Sequence, residues 1–255
     1  MIRAVIFDLD GTLVQTETLK AESYGKASVE LCPACASETE VTEAFKDVVG
    51  RSREEVSQTL MEKFKLTDAA RERMNELDVD EPWEAFAETR MRIYENLLQD
   101  PTTLRSNRLA HNVDLLREVR REGYKTALAT TSKREQTMHV LEVLGITDQF
   151  DFIGTADDVE HNKPDPDIYY FISRKLDVPT NACLAIEDSP PGVQAALSAG
   201  VWCIAVTTDF TRQAIHESKL LDAKWIVDDP KKLKEVFWQM IEERKKDKAE
   251  SPKAA

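Results

Sequence analysis

The chain has 255 residues, with 34 lysines and arginines against 47 aspartates and glutamates, for a net charge of −13. That length can bury a sizeable core without disulfides or a structural metal, and the negative field opposes binding to nucleic acid or to an anionic membrane. The same field repels phosphorylated ligands, so a site for one must gather cations locally.

Ala4 to Phe7 is a short apolar run that reads as a strand. The segment from Met1 to Asp8 is too short for a signal peptide and lacks a basic n-region. No apolar stretch approaches the roughly 20 residues of a membrane span. From Val14 to Ser106 no strand-like run occurs, and Trp83, Phe86, Met91, Tyr94, Leu97 and Leu98 recur at helical spacing. Residues 15–106 are therefore expected to form an all-helical insertion, a cap over the sheet edge where the first strand ends.

From Asn107 onward, strand-length apolar runs alternate with helix-period segments, the pattern of an α/β core with a parallel sheet. The runs are Tyr124 to Thr130, Phe152 to Thr155, Ala182 to Ile186, Val201 to Val206 and Trp225 to Val227. Gly123, Gly145 and Gly200 close the intervening helical patterns. The core is thus predicted to be discontinuous, comprising residues 1–14 and 107–255, with the charged residues 245–255 expected to fray.

The cysteines at 32, 35, 183 and 203 do not look like a disulfide framework in a chain this long, and a reducing cytoplasm is the expected compartment. Cys32-Pro33-Ala34-Cys35 has CxxC spacing, but one pair supplies two of the about four ligands of a structural zinc site. His111, His139, His161 and His216 stand singly. The pair is read as ordinary packing, with thiol reactivity as the alternative.

Ligands of open α/β sheets bind beyond the carboxyl ends of the strands, so the residues after each run belong together. Asp8 and Asp10 follow the first run, Thr130, Thr131 and Ser132 the second, and Glu187, Asp188 and Ser189 the Ala182 run; Lys163 follows the Phe152 run by a short loop. Taken singly, each has an ordinary explanation as a turn or loop residue. Four carboxylates, hydroxyls and a lysine at one edge, however, are costly without a cation and an anionic ligand to balance them.

Asp8-Leu9-Asp10-Gly11-Thr12, Thr130-Thr131-Ser132, Lys163-Pro164-Asp165-Pro166 and Glu187-Asp188-Ser189-Pro190-Pro191-Gly192 together resemble the four motifs, in order, of the haloacid dehalogenase-like superfamily. The resemblance covers residues 1 to 14 and roughly 107 to 229. It implies an α/β fold, a Rossmann-like parallel-sheet core with an inserted all-helical cap domain. It also implies Mg²⁺-dependent phosphate-ester hydrolysis, with Asp8 as nucleophile, Asp10 as general acid and base, and Thr130 and Lys163 as the groups that hold the transferring phosphoryl. The metal would take Asp8, the carbonyl of Asp10 and Asp188, with Glu187 nearby or acting through water. Leu109-Ala110-His111-Asn112-Val113 departs from the family's usual Pro-Gly turn at the point where the core resumes.

Within the superfamily the chain is most similar to the beta-phosphoglucomutase and phosphoglycolate phosphatase branch, whose cap loop often reads Gly-x-Ser-x-x-Glu, here Gly50-Arg51-Ser52-Arg53-Glu54-Glu55. That similarity makes Arg53 and Arg90 candidate clamps for a second phosphate or carboxylate, with Arg51 a weaker one, and adds Thr131, Ser132, Lys133 and Arg134 as substrate-binding candidates. For each cation a solvated surface role is the competing explanation. Lys20 and Gln15 stand where the branch's mutases carry a histidine and its members an acid, which favours hydrolysis. The expected ligand is a small phosphorylated metabolite, a sugar phosphate or bisphosphate, with phosphoglycolate hydrolysis, phosphomutase action and a non-catalytic phosphate-binding module as alternatives. The expected partners include neither nucleic acid nor membrane, and the expected state is a monomer or small homo-oligomer.

Overall fold

The computed structural model describes residues 1–49 and 52–250, without the side chains of 247–250. It begins with β1 (Ala4–Phe7), followed by the helices α1 (Thr16–Leu31), α2 (Glu38–Phe45), α3 (Arg53–Phe64), α4 (Thr67–Leu77), α5 (Pro82–Gln99) and α6 (Pro101–Ser106). Then come α7 (Ala110–Arg121), β2 (Lys125–Ala129), α8 (Arg134–Leu144), β3 (Phe152–Gly154), α9 (Asp167–Leu176), β4 (Cys183–Glu187), α10 (Pro190–Ser198), β5 (Trp202–Val206), α11 (Arg212–Ser218), β6 (Ile226–Val227) and α12 (Leu233–Glu250). The chain divides into two compact units, Met1–Gln15 with Asn107–Ala255, and Thr16–Ser106.

In the α/β unit the described residues form a six-stranded sheet in the order β3-β2-β1-β4-β5-β6, each neighbouring pair parallel. Parallel strands are covered on both faces, which is why these runs are continuously apolar rather than alternating. Ala4, Ile6, Ala127, Ala129, Cys183, Ala185, Cys203 and Ala205 turn one face toward Ile168, Ile172, Val193 and Ala196 of α9 and α10. Their small side chains leave room for those helices. Residues of the other parity, including Val5, Phe7, Leu128, Leu184 and Ile204, are equally buried, each large one contributing about 1.5–3 kcal/mol.

Register sets the site. Phe7 lies opposite Leu128 on one side and Ile186 on the other, so β1, β2 and β4 end level. Main-chain pairing extends one residue further: Asp8 N donates to the Ile186 carbonyl at 3.0 Å and Thr130 N to the Gly154 carbonyl at 3.1 Å. The Leu109–Val113 segment is fixed to the first loop by one main-chain and one side-chain bond. Leu109 N donates to the Leu13 carbonyl at 3.0 Å, and buried Asn112 donates from Nδ2 to the Thr12 carbonyl at 2.6 Å. This anchors the loop after β1, which carries Asp10.

In the helical unit, α2 opens with a capping box between Ser37 and Glu40 and α3 with one between Ser52 and Glu55, so each helix start satisfies its own amides. Phe86, Tyr94 and Leu98 of α5 are buried and Trp83, Met91 and Leu97 partly so, the stripe that the spacing predicts. The cysteine reading needs correction. Cys32 and Cys35 are not merely packed but joined by a disulfide, because the turn between α1 and α2 brings their Cα atoms to 5.3 Å. α12 runs through Glu250, with Lys245 paired to Glu242 at 2.7 Å one turn away. Residues 251–255 lie outside the described part. Among the described residues no helix is long and apolar enough to cross a membrane.

Candidate active site

Asp8, Asp10, Thr130, Ser132, Lys163, Glu187 and Asp188 meet at the carboxyl edge of the sheet. Lys163 is at the centre. Its side chain is 4% exposed and its ammonium lies 2.7 Å from Asp8 Oδ1 and 2.6 Å from Glu187 Oε1, and it donates to the Ala129 carbonyl at 2.8 Å. Burial alone would lower the lysine's pKa, but the two carboxylates outweigh it and hold the ammonium above its ordinary range.

Asp8 responds in the opposite sense. Burial pushes its pKa from 3.8 up to about 8, with the charges of Glu187 and Asp10 adding to the rise and Lys163 opposing it. Burial thus favours the protonated form of Asp8 in the metal-free site. Oxygen atoms of Asp8, Glu187 and Asp188, all three residues buried, lie within 4.8 Å of one another, and Glu187 Oε2 has no hydrogen-bond partner.

Two glycines make this crowding feasible. Gly11 has φ +77°, and a Cβ there would stand 2.0 Å from Asp188 Oδ2. A Cβ on Gly192 would stand 1.9 Å from Glu187 Oε2. Any larger residue at either position displaces a carboxylate.

Asp10 is held apart from the lysine. Ser132 Oγ donates to its Oδ2 at 2.7 Å and Thr130 Oγ1 at 3.4 Å, while Ser132 N donates to Thr130 Oγ1 at 3.0 Å. Hydroxyls rather than cations support this carboxylate.

Other predicted residues sit elsewhere. Thr131 and Lys133 are exposed between β2 and α8. Arg134 is engaged with Asp158 at 2.6 Å and the Ile153 carbonyl at 3.2 Å, so it braces the end of β3. Arg51 lies outside the described residues. Arg53 and Arg90 belong to the helical unit, where they line a cavity of about 240 Å³ with Glu17, Lys20, Tyr24, Phe45, Val48 and Val56. Arg90 is 6% exposed and its Nε has no hydrogen-bond partner. Its guanidinium lies over the rings of Tyr24 and Tyr94, 4.9 and 4.5 Å from their centroids, and burial lowers its pKa from the ordinary arginine value.

Tyr169 is a site residue that sequence reasoning missed. It is fully buried and donates its hydroxyl to Glu187 Oε1. Its place on α9 looks like any core aromatic, and only the sheet's three-dimensional closure reveals its partner.

The sequence model of the family described as haloacid dehalogenase-like hydrolase matches residues 5–206. A phosphorylated carbohydrates phosphatase of Thermotoga maritima is 29% identical over 207 residues, covering 78% of this chain and 82% of the relative. A crystal structure of beta-phosphoglucomutase from Clostridium difficile superposes with a TM-score of 0.62 at 25% identity, covering 94% of this chain and 99% of that one. CbbY from Rhodobacter sphaeroides, crystallised as a mutant with xylulose-1,5-bisphosphate, superposes with a TM-score of 0.56 at 26% identity, covering 90% and 95%. With a match that runs from β1 to the end of β5, the chain belongs to the haloacid dehalogenase-like hydrolase family.

Proposed function

We propose that the chain is a Mg²⁺-dependent phosphatase that hydrolyses a small phosphorylated metabolite, a sugar phosphate or sugar bisphosphate, through an aspartyl-phosphate on Asp8. The observation that carries this reading is the buried bridge from Lys163 to Asp8 and Glu187, which orients one carboxylate oxygen of the nucleophile and leaves the other for attack. Four carboxylates share the edge with one ammonium, an imbalance that a divalent cation offsets. The donors are all oxygen, as Mg²⁺ prefers, and the unpartnered Glu187 Oε2 fits a ligand role. Asp8, Glu187, Asp188 and the Asp10 carbonyl would hold the ion. When bound, it supplies positive charge beside the reacting phosphoryl oxygens.

Asp8 attacks phosphorus as Asp10 gives its proton to the departing ester oxygen, so the alcohol leaves neutral. Asp10, now a carboxylate, takes a proton from water, which attacks the aspartyl-phosphate and releases phosphate with Asp8 restored. Lys163 neutralises the phosphoryl oxygens, and Thr130 can turn its hydroxyl from Asp10 to the phosphoryl group.

Selectivity is assigned to the helical unit. Arg90 is a buried guanidinium held by aromatic faces, and among the described residues no carboxylate forms an ion pair with it; together with Arg53 and Lys20 it suits a second phosphate or a carboxylate. A bisphosphate or phosphoglycolate fits that requirement. A phosphomutase is less favoured, because Lys20 is paired with Glu17 at 2.6 Å where the mutases of this branch carry a histidine.

The test is phosphate release from sugar phosphates, sugar bisphosphates and phosphoglycolate with Mg²⁺, run beside an isomer-interconversion assay. Net hydrolysis is expected; interconversion without phosphate release would replace the phosphatase assignment with a mutase.

A further inference from the structure

The turn Cys32-Pro33-Ala34-Cys35 lies between α1 and α2, and neither sulfur serves the chemistry above. We propose that this pair is a thiol–disulfide exchange site, a reversible redox couple whose reactant is a soluble thiol reductant, best a dithiol, or the corresponding disulfide.

The turn has main-chain hydrogen bonds of its own beside the sulfur bond. Cys32 N donates to the Ser28 carbonyl at 2.9 Å, extending α1 by one residue, and Cys35 N donates to the Cys32 carbonyl at 3.0 Å, closing a four-residue reversal with Pro33 in its second position. Proline's fixed φ favours that reversal in either redox state. The two thiols of the reduced form are therefore already neighbours, with Cα atoms 5.3 Å apart, and oxidation needs no movement of the helices.

For the same reason the bond is a poor structural staple. It spans a sequence separation of three, where cross-linking removes the least entropy from the unfolded chain. The helix pair has other supports: Tyr24 and Phe45 stack with ring centroids 5.4 Å apart, and α2 carries its own capping box. A bond that contributes little to folding and joins pre-positioned thiols is suited to being made and broken.

Access points the same way. Pro33, Ala34 and Cys35 are exposed and Cys32 half-buried, so an incoming thiolate reaches the Cys35 sulfur first. The remaining cysteines differ on every count. Cys183 and Cys203 are buried in the sheet, and burial pushes the Cys183 thiol up to about 11 and that of Cys203 well above its ordinary value. They stay protonated and shielded.

The exchange balances as follows. A reductant thiolate attacks Cys35 Sγ, forming a mixed disulfide and releasing Cys32 as a thiolate that takes a proton from water. The reductant's second thiolate then attacks its own sulfur in the mixed disulfide, releasing Cys35, which is protonated in turn. Two electrons and two protons pass from the dithiol to the cysteine pair, and the dithiol becomes a disulfide.

The test equilibrates the full chain in buffers of reduced and oxidised glutathione spanning reducing to oxidising poise, followed by acid quench, alkylation and mass spectrometry of the peptide carrying residues 32 and 35. Both the disulfide and the dithiol should each exceed about 10% somewhere in that range, while Cys183 and Cys203 alkylate only after denaturation. In single variants, Cys35 alone (Cys32→Ser) should form its glutathione adduct about tenfold faster than Cys32 alone (Cys35→Ser). A pair that stays fully reduced, or fully oxidised, across the whole range overturns the proposal, and equal or reversed rates in the two variants overturn the assignment of Cys35 as the point of attack.

Discussion

The sheet edge of the α/β unit and the cavity of the helical unit solve the problem of buried charge in opposite ways. At the sheet edge four carboxylates gather with a single ammonium that bridges two of them, and burial, with the charges of Glu187 and Asp10 adding to it, lifts the Asp8 pKa to about 8. In the cavity the cations prevail: among the described lining residues Lys20, Arg53 and Arg90 stand with one carboxylate, Glu17, and tyrosine rings support Arg90. The first arrangement calls for a cation and the second for an anion. On the proposed function, chemistry belongs to the sheet edge and selectivity to the cavity, so substitutions in the first should change kcat and in the second KM.

The largest expected break comes from Lys163. Lys163→Ala leaves Asp8 and Glu187 facing each other without their shared cation, and kcat/KM should fall by about 10³-fold or more in steady-state phosphate release. Retention of a tenth of wild-type activity would show that the bridge is structural.

The pH dependence of metal binding comes next. The ordinary Asp8 value of 3.8 is raised to about 8 in the folded, metal-free site, so Asp8 is protonated below that pH and the proton must leave before a cation binds. Apparent Mg²⁺ affinity, measured by calorimetry, should rise about tenfold per pH unit below 8 and level off above it. The linkage to folding has a matching sign: because burial favours the protonated form, the metal-free chain loses stability on Asp8's account as pH climbs from 3.8 to about 8. Added Mg²⁺ should therefore stabilise most at the alkaline end. A pH-independent affinity would contradict the charge imbalance.

Arg90→Met probes the other region. The change should raise KM for a bisphosphate or phosphoglycolate by about 10- to 30-fold, the loss of about 1.5–2 kcal/mol from a charge-assisted bond, and should leave a simple monophosphate little affected. Stability should hold or improve, since an apolar side chain between Tyr24 and Tyr94 removes a buried charge. An equal effect on all substrates would deny the cavity its selective role.

Tyr169→Phe makes the finest distinction. It removes one hydroxyl from Glu187 Oε1 while keeping the ring. Mg²⁺ affinity should drop by about tenfold, as for loss of a group that orients a ligand, and stability by roughly 1 kcal/mol. Unchanged affinity would leave Tyr169 as packing alone.

The same two regions differ in how far their residues could be read in advance. The sheet edge was legible because most of its groups stand at a strand's end: Asp8 after Ala4–Phe7, Thr130 after Lys125–Ala129, Glu187 and Asp188 at the end of Cys183–Glu187. A strand's end fixes where the next side chain goes, so sequence order alone gathers them. Glycines at 123, 145 and 200 all have positive φ and mark helix ends, which is why those boundaries fell within a residue or two. Where placement depends on packing between distant segments, the sequence was silent. Tyr169 reads as a core aromatic, and Asn112 gave no sign that it grips the Thr12 carbonyl. Arg134 looked like a ligand cation but is held by Asp158, 24 residues on. The cysteine pair was misread because spacing alone does not tell whether the intervening turn brings two sulfurs together.

The central claim is that Asp8 is the nucleophile that accepts the phosphoryl group, and rapid quenching during turnover tests it most directly. Mass spectrometry of the peptide carrying Asp8 should find a phosphoryl group on that residue in the wild type, and Asp8→Asn should show neither the adduct nor phosphate release. Turnover by Asp8→Asn at the wild-type rate, or a phosphoryl group found on another residue, would contradict the account.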